Sequence, residues 1–397
     1  MRARTRVAVV FVLAMLVAGA FLLRPYARGL AFVARASDRH GAVRLVANAG
    51  ARRVTVRSIE LNTGTDTKAA VAARLYRPDG APRRLALLVS GLHPQGIDEP
   101  RLVSLANELA ASGLAVVTPD IPELSRFDIV PRLTDAIEAA ALSAADLAKA
   151  ESAGDGRIGL MGIGFSGGLA VVAAGRPSLA DRIAFVLSTG GHDDFPRVLR
   201  YLCTGVEPAP TPELRIEARN SGSNLPPSGD GPSIVLLITA ERLVPARQVG
   251  ALRDAVRRFL VATALTRTDT ARAAEEFAAI KKLVLPEPSA TLLRYVNERD
   301  VAHLGARLLP YVGAYGAPAA LSPTRSPKPR APVFLLHGVD DNVIPAIESD
   351  YLAAELRGRT PAQVLLTPLV GDADVLRTPG AGEALQMAGF WGELLAR

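Results

Sequence analysis

One cysteine, one tryptophan and five histidines in 397 residues narrow the chemistry before any motif is sought. The lone Cys203 excludes a disulfide framework and a thiolate metal cluster, and reads as a small buried apolar side chain. No metal-ligand spacing appears among His40, His93, His192, His303 and His337, and no Gly-x-Gly-x-x-Gly opens a helix after the first strand. No metal and no cofactor are therefore expected. Charge is missing from one stretch in particular: Val7 to Leu23 carries none. At about 1.5 Å per residue those 17 residues span about 25 Å, close to a bilayer core, and they follow Met-Arg-Ala-Arg-Thr-Arg. The segment reads as an uncleaved signal anchor, with a signal peptide cleaved near Ala18-Gly19-Ala20 as the alternative. The expectation is a single-pass membrane protein whose globular part is extracytoplasmic, or a secreted protein after cleavage.

The net charge of +7 is unevenly placed. Residues 1–57 hold eleven arginines against Asp38 alone, so they sum to +10, and the remaining residues sum to −3. A mildly acidic body with a basic amino-terminal arm fits anionic lipid and argues against nucleic acid. The 49% apolar composition is ample for a substantial core.

Apolar patterning predicts strands over 54–61, 70–76, 85–89, 114–118, 157–161 and 183–188, with helices over 102–111, 136–150 and 168–174 between them. Strands alternating with helices imply right-handed crossovers and a mainly parallel sheet, an α/β fold. The alternation stops for about 130 residues. There 206–232 reads as irregular, 244–265, 271–283 and 290–309 as helices, and 234–239 fits either strand or buried helix. Strands over 333–336 and 364–370, with a last helix over 382–395, resume the pattern. The expected organisation is a membrane anchor or signal segment at 1–24, a basic linker at 25–53, a core made of 54–192 and 332–397, and a helical cap insertion at 193–331.

Gly164-Phe165-Ser166-Gly167-Gly168 lies between a strand and a small-residue helix, the setting that gives Gly-x-Ser-x-Gly its meaning. In that setting the serine sits on a strained turn, and the following amide, here Gly167, points to where an oxyanion would form. His337-Gly338-Val339-Asp340-Asp341 follows a later buried strand and precedes Pro345. On these two segments the chain resembles the α/β-hydrolase superfamily over roughly residues 54–192 and 332–396. The resemblance implies Ser166 as nucleophile, Asp341 as triad acid, and the amides of Gly167 and Leu92 as oxyanion donors, acting on a small acyl substrate.

One element of that pattern is absent. The superfamily places its catalytic histidine in the loop after the last strand, and this loop reads Leu369-Val370-Gly371-Asp372-Ala373-Asp374, with Asp372 in the base position. A carboxylate with a pKa near about 3.9 is a poor base for a serine proton, whereas an imidazole near about 6.5 is suited to it. His192, after the strand that follows the nucleophile helix, is the candidate replacement base. His93, beside Leu92, either faces the same cleft or caps the following helix. Three readings follow: a serine hydrolase of ester type with a displaced base, a non-catalytic binding protein that kept the fold, and a transferase or lyase using the same turn.

Overall fold

In the computed structural model, residues 23–36, 47–62, 70–151, 153–210, 228–371 and 380–397 are described. Eight strands form one sheet in the order β1-β2-β4-β3-β5-β6-β7-β8. They are β1 (Val54–Asn62), β2 (Ala70–Pro78), β3 (Arg84–Val89), β4 (Leu114–Pro119), β5 (Ile158–Ile163), β6 (Ile183–Thr189), β7 (Val333–Gly338) and β8 (Ala362–Thr367). The first two run antiparallel and the other six are parallel to one another, as the alternating pattern requires.

Helices cover both faces, so every residue of β3 and β4 is buried and reads as a continuous apolar run. Leu85, Leu87 and Val89 pack toward helices α3 (Arg132–Ala150) and α4 (Phe165–Ala174). Ala86 and Leu88 pack toward α1 (residues 23–36), α2 (Pro100–Ala111) and α12 (Ala381–Leu395). This is the two-faced α/β architecture expected, and its strand order with a strand-turn-helix at β5 is that of an α/β-hydrolase fold.

The insertion is helical. After α5 (Phe195–Thr204) come α6 (Gly231–Thr239), α7 (Ala246–Leu265), α8 (Thr270–Lys281), α9 (Ser289–Glu298) and α10 (Val301–Gly316). The ambiguous run at 234–239 is thus helix. The stretch expected as one helix over 290–309 is two, because Arg299 adopts φ 52 between them. Chain returns to the sheet at β7, and α11 (Ile347–Leu356) links β7 to β8. Cys203 is buried on α5, where burial pushes its thiol up to about 12.

Residues 25–36, expected within a linker, are part of α1 instead. Gly29 lets α1 approach α12 closely, since a Cβ there would collide with the Ala388 carbonyl oxygen. The Phe32 ring lies 4.3 Å from that of Trp391, and Arg35 donates to Glu108, Ser112 and the Ala47 carbonyl. Among the described residues no helix is long and apolar enough to cross a membrane. The expected anchor lies outside the described residues apart from its end at Leu23 and Arg24.

Candidate functional site

The β5–α4 turn is a single residue, Gly164. β5 continues to Ile163 and α4 begins at Phe165, leaving Gly164 at φ 55, ψ −130. That conformation is strained for any residue with a side chain and costs glycine little. The turn is anchored where Gly164 N donates to Thr189 O at 2.7 Å. Gly162 and Gly167 serve close approach. A Cβ on Gly162 would clash with the Ser166 carbonyl oxygen, and one on Gly167 would lie 2.6 Å from Ser188 Oγ. A Cβ built on Gly164 would meet nothing within 4 Å. The position that a strained elbow offers to a nucleophile is therefore open and carries no side chain.

Ser166, expected on the turn, lies two residues beyond it inside the first turn of α4. It is fully buried, and its hydroxyl donates to the Ser90 carbonyl oxygen at 2.6 Å. It ties α4 to the end of β3. Gly167 N donates to Gly164 O at 2.8 Å, so the amide expected to hold an oxyanion closes the turn instead. The amide that follows the strained residue belongs to Phe165. The β3 loop does lie against the elbow: a Cβ on Gly91 would stand 3.3 Å from the Ile163 carbonyl oxygen, and the adjoining Leu92 packs at the core margin.

Asp341 is beside the turn. Its Oδ1 accepts from Val343 N and Ile344 N, both at 2.9 Å. Its Oδ2 lies 3.3 Å from a Cβ built on Gly190, which would itself be 3.9 Å from Gly164 Cα. Gly190, at φ 62, is thus the spacer between this carboxylate and the elbow. His337 is buried among three partners, Ile344 O at 2.9 Å and Asp341 Oδ2 at 3.5 Å from Nε2, and Ser349 Oγ at 2.7 Å from Nδ1. The carbonyl can only accept, so Nε2 carries the proton and Nδ1 accepts from the serine. His337 is accordingly a brace for the β7–α11 loop.

His192 does not serve Ser166. Its Nε2 donates to the Leu321 carbonyl at 2.7 Å, and its Nδ1 is buried without a hydrogen-bond partner. The ring stacks on Phe165 with centroids 4.9 Å apart, and burial lowers its pKa. A neutral ring wedged beside Gly168 packs α4 against the chain returning from the cap. His303 is exposed on α10 and bonded to Asp300, while His93 Nδ1 accepts from Gln95 N. Asp372, the position where the base was sought, lies outside the described residues. Among the described residues no three His, Cys, Asp or Glu side chains are grouped to hold a metal ion.

Sequence reasoning missed a second polar cluster below the site. Glu348, fully buried on α11, accepts from the amides of Asp193 and Asp194, each at 3.0 Å, and from Arg197 Nε and Nη2 at 2.6 and 2.9 Å. Arg197 also lies 3.9 Å above the Tyr351 ring. Burial opposes its charge, but the hydrogen bond and charge of Glu348 outweigh that and raise its pKa. Asp193 shares Arg197 at 3.1 Å, yet its Oδ1 has no partner, and burial pushes its carboxyl up to about 7. Arg197 is already committed to Glu348, so desolvation prevails at Asp193. A carboxyl whose folded pKa is raised binds more protons in the native state, so stability falls as pH rises from about 4 to about 7. Asp193→Asn is therefore expected to raise the urea midpoint at pH 8 and to leave it nearly unchanged at pH 4. At about 1.4 kcal/mol per tenfold change in proton affinity, the gain is bounded by about 4 kcal/mol. The sequence held one signal, the His192-Asp193-Asp194 cluster, but nothing in it marks Glu348 as buried.

No family model and no curated protein matches this chain. Solved structures do resemble it in the course of the chain. An acylaminoacyl peptidase of Pyrococcus horikoshii is 12% identical, with a TM-score of 0.45, and the alignment covers 90% of this chain and 43% of that one. A bacterial heroin esterase is 16% identical with a TM-score of 0.47, covering 86% and 84%. An esterase from Pseudomonas putida ECU1011 is 15% identical with a TM-score of 0.45, covering 93% and 88%. The chain spans less than half the length of the acylaminoacyl peptidases. By name these neighbours are a peptidase and two esterases.

Proposed function

We propose that this chain is a non-catalytic α/β-hydrolase-fold protein, a binding or scaffolding module held at a membrane by its amino-terminal segment with the globular part extracytoplasmic. One observation carries the reading: the strained residue of the β5–α4 elbow is Gly164, which has no nucleophile to offer. Two others support it. The Ser166 hydroxyl is spent on Ser90, and no histidine follows His337 to serve as base. The opposing reading, a serine ester hydrolase acting through Ser166 on a small acyl substrate, keeps Asp341 in its favour, since that carboxylate stands beside the elbow. It requires the serine hydroxyl to leave its buried bond and reach a cleft.

The test treats the full-length protein with a serine-reactive phosphonate and follows activated-ester turnover. The wild type is expected to remain unlabelled. Ser166→Ala is expected to leave background turnover unchanged and to cost about 1 kcal/mol through loss of the bond to Ser90. Labelling at Ser166, with turnover abolished in Ser166→Ala, overturns the proposal in favour of the hydrolase.

A further inference from the structure

The outward face of α1 is apolar where a domain surrounded by water would be polar. Leu23, Tyr26 and Leu30 are 64%, 49% and 48% exposed, and their spacing of three and four puts them on one face. Leu385 of α12, 60% exposed, lines with Tyr26 an open groove of about 1030 Å³. The groove runs along the edge strand β8 between α11 and α12, with Val364, Arg357 and Phe390 also in its wall. The exposed stripe has no way to turn inward. Its opposite face is fixed by the close approach at Gly29, the Phe32–Trp391 contact and the three hydrogen bonds of Arg35.

Two features indicate what covers this face. The uncharged run Val7 to Leu23 reaches into α1, which includes Leu23, so the apolar segment and the stripe share a residue and no spacer separates them in sequence. Arg28, exposed on the same helix, suits anionic headgroups. We propose that α1 and the neighbouring end of α12 form a lipid-docking surface. The helix lies in the headgroup boundary of an anionic bilayer with Leu23, Tyr26, Leu30 and Leu385 reaching the acyl region, and the mouth of the β8 groove faces the lipid. This rests on reading Val7 to Leu23 as a membrane segment and adds a fixed orientation of the domain on the membrane.

The experiment reconstitutes full-length protein in vesicles of phosphatidylcholine and phosphatidylglycerol and places one nitroxide at a time on a Cys203→Ala background. Leu385→Cys reports the docking surface, and Val284→Cys, 95% exposed in the cap insertion, reports the water side. The expected result is that oxygen relaxes the label at 385 several-fold more than a water-soluble nickel chelate does, with the reverse at 284. Adding Tyr26→Glu and Leu30→Glu should keep the protein floating with the vesicles and remove the protection at 385. Protein that floats while the chelate reaches 385 and 284 equally overturns the docking and leaves the tether standing. Protein that does not float overturns the tether, and the docking with it.

Discussion

Gly164→Ser is expected to convert a chain that ignores phosphonate probes into one that is labelled at residue 164. The backbone there already holds φ 55, ψ −130, and a Cβ would meet nothing within 4 Å, so a hydroxymethyl group fits without displacing a neighbour. The cost is conformational, of the order of 1–3 kcal/mol for a side chain in that region of backbone space, and is read as a lower melting temperature. The new hydroxyl would have Asp341 nearby through Gly190 but no imidazole. Labelling should therefore be slow and ester turnover slight. Asp372→His added to Gly164→Ser supplies a base in the loop after β8, and turnover should rise by about 10²–10⁴ over the single variant, the usual contribution of a positioned general base. Asp372→His alone should gain nothing, because a base without a nucleophile has no proton to take. If the folded Gly164→Ser chain stays unlabelled while the probe attaches to Ser166, the elbow has been assigned to the wrong residue.

Glu348→Ala should be among the most destabilising single substitutions in the chain. The carboxylate is fully buried and accepts four hydrogen bonds, two from backbone amides and two from Arg197. Its removal leaves two amides without an acceptor and the Arg197 guanidinium with Asp193 alone, for which a loss of about 3–5 kcal/mol is expected. The measurement is the urea midpoint at pH 7. Arg197→Met combined with Glu348→Leu and Asp193→Asn should lose less than Glu348→Ala, since no unpaired charge is left inside. Equal losses in the two chains would mean that the amides of Asp193 and Asp194, and not the ion pair, govern the site.

Much of the architecture was legible in the sequence because a sheet covered on both faces writes itself as short apolar runs. β3, β4, β6 and β7 are such runs, and the strands alternate with helices as expected. The elbow was legible only as a region. Gly162, Gly164, Gly167 and Gly168 allow two overlapping frames, Gly-Ile-Gly-Phe-Ser and Gly-Phe-Ser-Gly-Gly, and only the second contains a serine in the central position. Backbone conformation decides between them, through the two residues by which β5 outlasts its apolar run. Asp341 could be placed near the elbow from sequence because its spacing from His337 and Pro345 is local. His192 was misread for the opposite reason: its partner, Leu321, is 129 residues away. The Glu348 network escaped for the same cause, since a buried acid and a surface acid are spelled alike.

The contact between α1 and α12 joins Gly29 to Ala388, 359 residues apart in sequence, and this has a bearing on the order of events during synthesis. Gly29 has no seat until Ala388 and Gly392 exist, and Phe32 waits for Trp391. Domains generally form from the amino terminus as the chain emerges, but α1 cannot be closed in until α12 has been made. Until then α1 has both an apolar stripe and an unfilled core face, and a nascent chain already delivered to a bilayer would have somewhere to keep them. Helix α12 then acts as the latch: loss of residues 388–395 would free α1 while the sheet itself stood complete.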